Sequence, residues 1–61
     1  MLSILIPTYN YVCVKLVTDL QQQAERLECP YEILVADDAS EDAFKRENRK
    51  INGIPGCKYI E

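Results

Sequence analysis

SILIPTYN, residues 3–10, and YEILVADDAS, residues 31–40, follow one plan: an apolar, branched run that stops on groups able to turn the chain and hold a ligand. In the first, Leu2 to Ile6 is bounded by Pro7, which predicts a short strand buried on both faces. In the second, Tyr31 to Ala36 predicts another strand, followed by the turn-prone DDAS. Between them the period changes. Cys13, Leu16, Val17, Leu20, Ala24 and Leu27 recur every three or four residues, while Asp19, Gln21, Gln22, Glu25 and Arg26 fill the other side. That spacing predicts an amphipathic helix over 12–27 with one core face, ended by Pro30, which holds Cys29 out of helical geometry.

Beyond DDAS a second helix is predicted from Glu41 to Ile51. Ser40 stands as N-cap, Glu41 and Asp42 in the first turn, Arg49 and Lys50 in the last, and Gly53 just past the end. The loop NGIPG follows, and CKYIE begins a third strand. Strands alternating with helices imply parallel pairing through right-handed crossovers, so the fold class is α/β in the order β-α-β-α-β.

The bulk composition narrows the function classes. Sixty-one residues, 48% hydrophobic and 28% charged, allow one domain or part of one. Seven Lys and Arg against ten Asp and Glu give a net charge of −3, which argues against a polyanion-binding surface, so nucleic acid is not an expected partner. Cys13, Cys29 and Cys57 are odd in number, widely spaced and without a histidine, which suggests neither a disulfide framework nor a zinc site. Reduced thiols imply a cytoplasmic setting, or the inner face of a membrane if the parent protein is longer. No stretch approaches the roughly 20 apolar residues a membrane helix needs.

In an open parallel sheet, ligands bind beyond the carboxyl ends of the strands, and PTYN and DDAS both leave the sheet there. If the first two strands are neighbours, Tyr9 and Asp38 lie about 4.8 Å apart in strand spacing, within reach of one planar base. A tyrosine face stacks on such a base, and a carboxylate, which only accepts hydrogen bonds, holds a ring N–H. Uracil and guanine carry that hydrogen; cytosine and adenine do not. The pair therefore points to a uridine or guanosine nucleotide.

At SILIPTYN, at the helix spaced like LVTDLQQQ and at YEILVADDAS, the chain resembles the inverting glycosyltransferases of family 2, which have the GT-A fold and use nucleotide sugars. The resemblance implies that Pro7 (through its backbone), Thr8 and Tyr9 hold the base, that Asp38 contacts a uracil ring, and that Asp37 lies close to the nucleotide. Asn10 would brace the loop. Ala39 stands where the family usually has glycine, which puts the turn geometry at issue. In the family a divalent metal, Mg or Mn, and a catalytic base are held by motifs further along than the 23 residues that follow Asp38. Residues 1–61 are thus expected to be the Rossmann-like, nucleotide-binding first part of a GT-A domain, holding no metal and no catalytic residue of their own. Uridine diphosphate sugars are the favoured ligands, and self-association through open edges or an uncovered sheet face is expected.

Plainer readings stand beside these. PTYN is ordinary turn chemistry, and Asp37 and Asp38 suit the start of a helix. Lys45, Arg46, Arg49 and Lys50 form a basic face, but Glu41 to Lys45 and Asp42 to Arg46 are (i, i+4) pairs, which suits a solvated surface. Tyr31 and Tyr59 read as sheet residues. A phosphorylation receiver would carry its acid pair after the first strand, and a dinucleotide-binding domain needs glycines in the first turn, whereas Gly53 and Gly56 lie far from it. A non-catalytic interaction module is the remaining alternative.

Overall fold

The computed structural model describes all 61 residues: β1 (Leu2–Thr8), α1 (Val14–Arg26), β2 (Tyr31–Asp37), α2 (Asp42–Asn48), a 3₁₀ helix (Arg49–Gly53) and β3 (Cys57–Ile60). The strands form one parallel sheet in the order β1-β2-β3. The register pairs Ile4 with Ile33 and Ile33 with Cys57, then Ile6 with Val35 and Val35 with Tyr59. The α/β order and parallel pairing read from the sequence are those observed.

Those register rows build the core. Ile33, Val35 and Tyr59 are buried on one sheet face beneath Cys13 and Val17 at the start of α1 and Ile51 of the 3₁₀ helix, with Ile4, Ile6 and Leu20 packed at the rim. Strand side chains alternate, so Ser3, Leu5 and Pro7 of β1 point to the other face. That face is uncovered: Leu5 is 67% exposed. The expectation that β1 is buried on both sides therefore fails. When sheet order follows chain order, right-handed crossovers deliver both helices to the same side.

The helices differ from their predicted forms at the ends. α1 starts at Val14 rather than Val12 and ends at Arg26, where the Leu27 N–H returns to the Ala24 carbonyl and Glu28 takes a left-handed φ of 53°. Its predicted core face is only partly used, because Leu16 and Leu27 are exposed. The second helix is shorter than predicted. It begins at Asp42 with Glu41, not Ser40, at the N-cap, and after Asn48 tightens into the 3₁₀ helix that carries Ile51 to the core. The predicted (i, i+4) pairs do not form; the ion pairs are Arg49–Glu61 and Lys50–Glu47. At Gly56, with φ 74°, a Cβ would lie 2.5 Å from the Tyr31 ring, so only glycine fits.

Candidate functional site

β1 and β2 pair directly, with Thr8 opposite Asp37 at the last register position. Their ladder runs one bond further, from the Asp38 N–H to the Thr8 carbonyl at 2.9 Å. The segments that continue into Tyr9 and Asp38 therefore leave the sheet from neighbouring strand ends at its carboxyl edge. Tyr9 is 62% exposed, and Asp38 is exposed.

The two adjacent acids have separate surroundings. Asp37 is half-buried; its Oδ1 accepts the Ser40 N–H at 2.8 Å and its Oδ2 accepts the Tyr59 hydroxyl. Burial alone would raise its pKa, but the Ser40 hydroxyl, the Tyr59 hydroxyl and the Ser40 N–H outweigh it and hold the carboxyl below its usual range. The same contact and its own burial push the Tyr59 phenol up, burial having the larger effect. Asp37 is therefore committed to the turn. The Asp38 carboxylate enters no hydrogen bond or ion pair within the chain and stands open to solvent.

The remaining residues expected at the site divide in the same way. Pro7 is exposed at the end of β1, opposite Ala36. Thr8 is buried, and its Oγ1 accepts the Cys13 thiol at 3.2 Å, so its hydroxyl faces the core and only its backbone faces the loop. Asn10 braces the loop: its N–H donates to Ser40 Oγ at 2.8 Å, and its Oδ1 accepts the Glu41 N–H at 2.9 Å. Ser40, expected to cap the second helix, is instead buried in this cross-link. Asn10 and Ala39 both take positive φ, 46° and 58°. The turn geometry that glycine suits is thus retained by Ala39 at a cost in backbone strain.

Sequence reasoning missed Asn48 and assigned Tyr59 to the sheet without a partner. Asn48, fully buried, accepts the Cys13 N–H through Oδ1 and donates through Nδ2 to the Tyr11 carbonyl, both at 2.7 Å. A signal was present: Phe44, Asn48 and Ile51 follow the i, i+4, i+7 spacing of a core stripe, and an amide on such a stripe needs polar partners.

No group of three or more His, Cys, Asp or Glu side chains comes together to hold a metal ion. With both oxygens of Asp37 engaged, Asp38 is the free carboxylate of the pair, and one carboxylate is too few for a metal cage built by protein alone. The molecule's apolar hollow, about 190 Å³, lies at the opposite end of the sheet between Leu2, Ile4, Leu20 and Leu27. Nothing charged lines it to orient a nucleotide, and the Tyr9–Asp38 edge is an open surface rather than a cavity. No helix is long and apolar enough to cross a membrane.

The family described as Glycosyl transferase family 2 matches residues 3–61. Neither the curated proteins nor the solved structures yield a match. The match spans both strand ends, the helix between them and the third strand, and with the parallel Rossmann-like sheet it establishes that this chain belongs to glycosyl transferase family 2.

Proposed function

We propose that this chain reads the nucleotide of a uridine diphosphate sugar at the Tyr9–Asp38 edge. The observation that carries the proposal is the split within the acid pair: Asp37 is consumed by Ser40 and Tyr59, while Asp38 stands free at one strand end and Tyr9 stands exposed on a braced loop leaving the neighbouring one. Tyr9 stacks on the base, and Asp38 accepts the ring N–H of uracil. Pro7 and Thr8 offer backbone, and Asp37 fixes the turn that presents Asp38.

A divalent cation, Mg or Mn, would offset diphosphate charge when bound. It would arrive with the phosphates, as Mg commonly does, and these residues bring together no side-chain cluster of their own to hold it. The chain by itself binds and does not transfer sugar: without an assembled metal cage or a placed general base, the main electrostatic and proton-transfer contributions to the rate are missing.

Titration followed by calorimetry tests the reading. Uridine diphosphate is expected to bind at about millimolar affinity, near −4 kcal/mol. Cytidine diphosphate should bind more weakly, and Asp38→Asn and Tyr9→Ala should each weaken the uridine nucleotide. Equal affinity for the two nucleotides would remove Asp38 from base reading. Sugar transfer by the purified chain would overturn the proposed lack of turnover.

A further inference from the structure

The segment from Tyr9 to Val12 contains a left-handed Asn10 and exposes Tyr9, Tyr11 and Val12, so little apolar burial holds it in shape between Thr8 and the buried Cys13. Apart from the weak bonds of the Cys13 thiol to the Thr8 hydroxyl and the Tyr11 carbonyl, what holds it is polar and comes from the two ends of α2. At the N-terminal end, Asn10 is tied to Ser40 and to the Glu41 N–H. At the C-terminal end, Asn48 closes a two-point clamp on Tyr11 and Cys13. The two ties differ in their setting. The Asn10–Glu41 bond is exposed and open to competition from water, whereas the Asn48–Cys13 bond is buried, where an unmade bond is costly. Asn48 also satisfies a carbonyl and an N–H two residues apart on the far side of a bend, and so fixes the direction in which the loop leaves β1.

We infer that Asn48 is a positioning residue, which holds the Tyr9 loop in its nucleotide-binding shape before any ligand arrives. It touches no ligand itself; its amide sets the fraction of molecules in which Tyr9 faces Asp38. Apparent affinity scales with that fraction, so losing the clamp weakens binding without removing a ligand contact. The effect on binding rests on the nucleotide reading above; the ordering of the loop does not.

The test uses the whole chain with Asn48→Ala, which loses both bonds, and Asn48→Asp, which keeps an acceptor for the Cys13 N–H and loses the donor to Tyr11. Ile51→Val, a core change that leaves both Asn48 bonds in place, serves as the control for a general loss of stability. Backbone amide exchange and the Tyr9 ring resonances are followed by NMR in ligand-free protein, then uridine diphosphate is titrated. In the ligand-free variants, Cys13 amide protection should collapse and the Tyr9 signals should broaden or average, more so in Asn48→Ala than in Asn48→Asp, with Ile51→Val unchanged at both sites. Binding should weaken about tenfold in Asn48→Ala, the loss expected when about a tenth of the loops remain competent. If the wild type does not bind the nucleotide while the loop still loosens on substitution, the nucleotide reading fails and the positioning role stands. A folded Asn48→Ala with unaltered Tyr9 signals, or with the same affinity loss as Ile51→Val, would overturn the inference. Should neither variant fold, a wild-type Cys13 amide exchanging as fast as those of the chain ends would overturn it as well.

Discussion

Replacing Tyr59 with Phe takes one hydroxyl from the foot of the candidate site and leaves the ring in the core. Tyr59 is 5% exposed, and its hydroxyl meets Asp37 Oδ2. A hydrogen bond to a charged group contributes about 1.5–3 kcal/mol when dry. Asp37 is half-buried, so water can replace part of what is lost, and about 1–2 kcal/mol is the expected cost. A domain of this size has a total stability of roughly 3–9 kcal/mol, so the loss is a sizeable share. With a urea slope of about 1 kcal/mol per molar, the midpoint followed by circular dichroism should fall by about 1–2 M. In a cycle with Asp37→Ala the two losses should couple by about 1 kcal/mol, because either substitution alone already breaks the contact.

The pH profile of the same pair carries a sign. Asp37 has a lowered folded pKa, so its stabilisation is present above the ordinary carboxylate value and is lost as pH falls through the folded one. Tyr59 has a raised folded pKa, so its share is complete below about pH 10 and drains as pH rises beyond that. Tyr59→Phe should flatten the alkaline limb and reduce the acid one. Additive losses in the cycle, with an unchanged alkaline limb, would refute the idea that this contact anchors the turn bearing Asp38.

Ala39→Gly should raise stability by up to ~1.5 kcal/mol, because relief of a left-handed alanine, about 1–2 kcal/mol, outweighs the extra backbone entropy glycine loses, about 0.5–1; a lower urea midpoint would contradict this. On the uncovered sheet face, Leu5 lies beside Leu34, with Ile60 two residues along the ladder and 42% exposed, so unfolding midpoints are expected to rise with protein concentration. Leu5→Lys should flatten that dependence, and a wild type that sediments as a monomer at every concentration would show that the face is harmless.

Much of this molecule was legible in its residues. The switch from branched runs to a 3.6-residue period and back located three strands and two helices, because each element has its own side-chain period. PTYN and DDAS announced the carboxyl edge because strands in βαβ units all point one way. The roles of individual side chains there were less legible. Ser40 looked like a helix cap because hydroxyls before an acidic turn usually are, yet it lies buried against Asn10, a residue thirty positions away. Asp37 and Asp38 are alike as letters. Tyr59 separates them by arriving from β3 to occupy one carboxylate.

The sequence by itself determined the order of elements, their parallel pairing and the two segments that meet at the site, since these follow from local period, turn chemistry and the handedness of crossovers. The tertiary structure alone decided which acid remains free, which threonine hydroxyl turns inward, that an asparagine of α2 clamps the loop after β1, and that one sheet face stays bare. Each of these depends on a partner distant in sequence, and hydrogen-bond satisfaction in a buried site is settled only when the distant groups have been brought together.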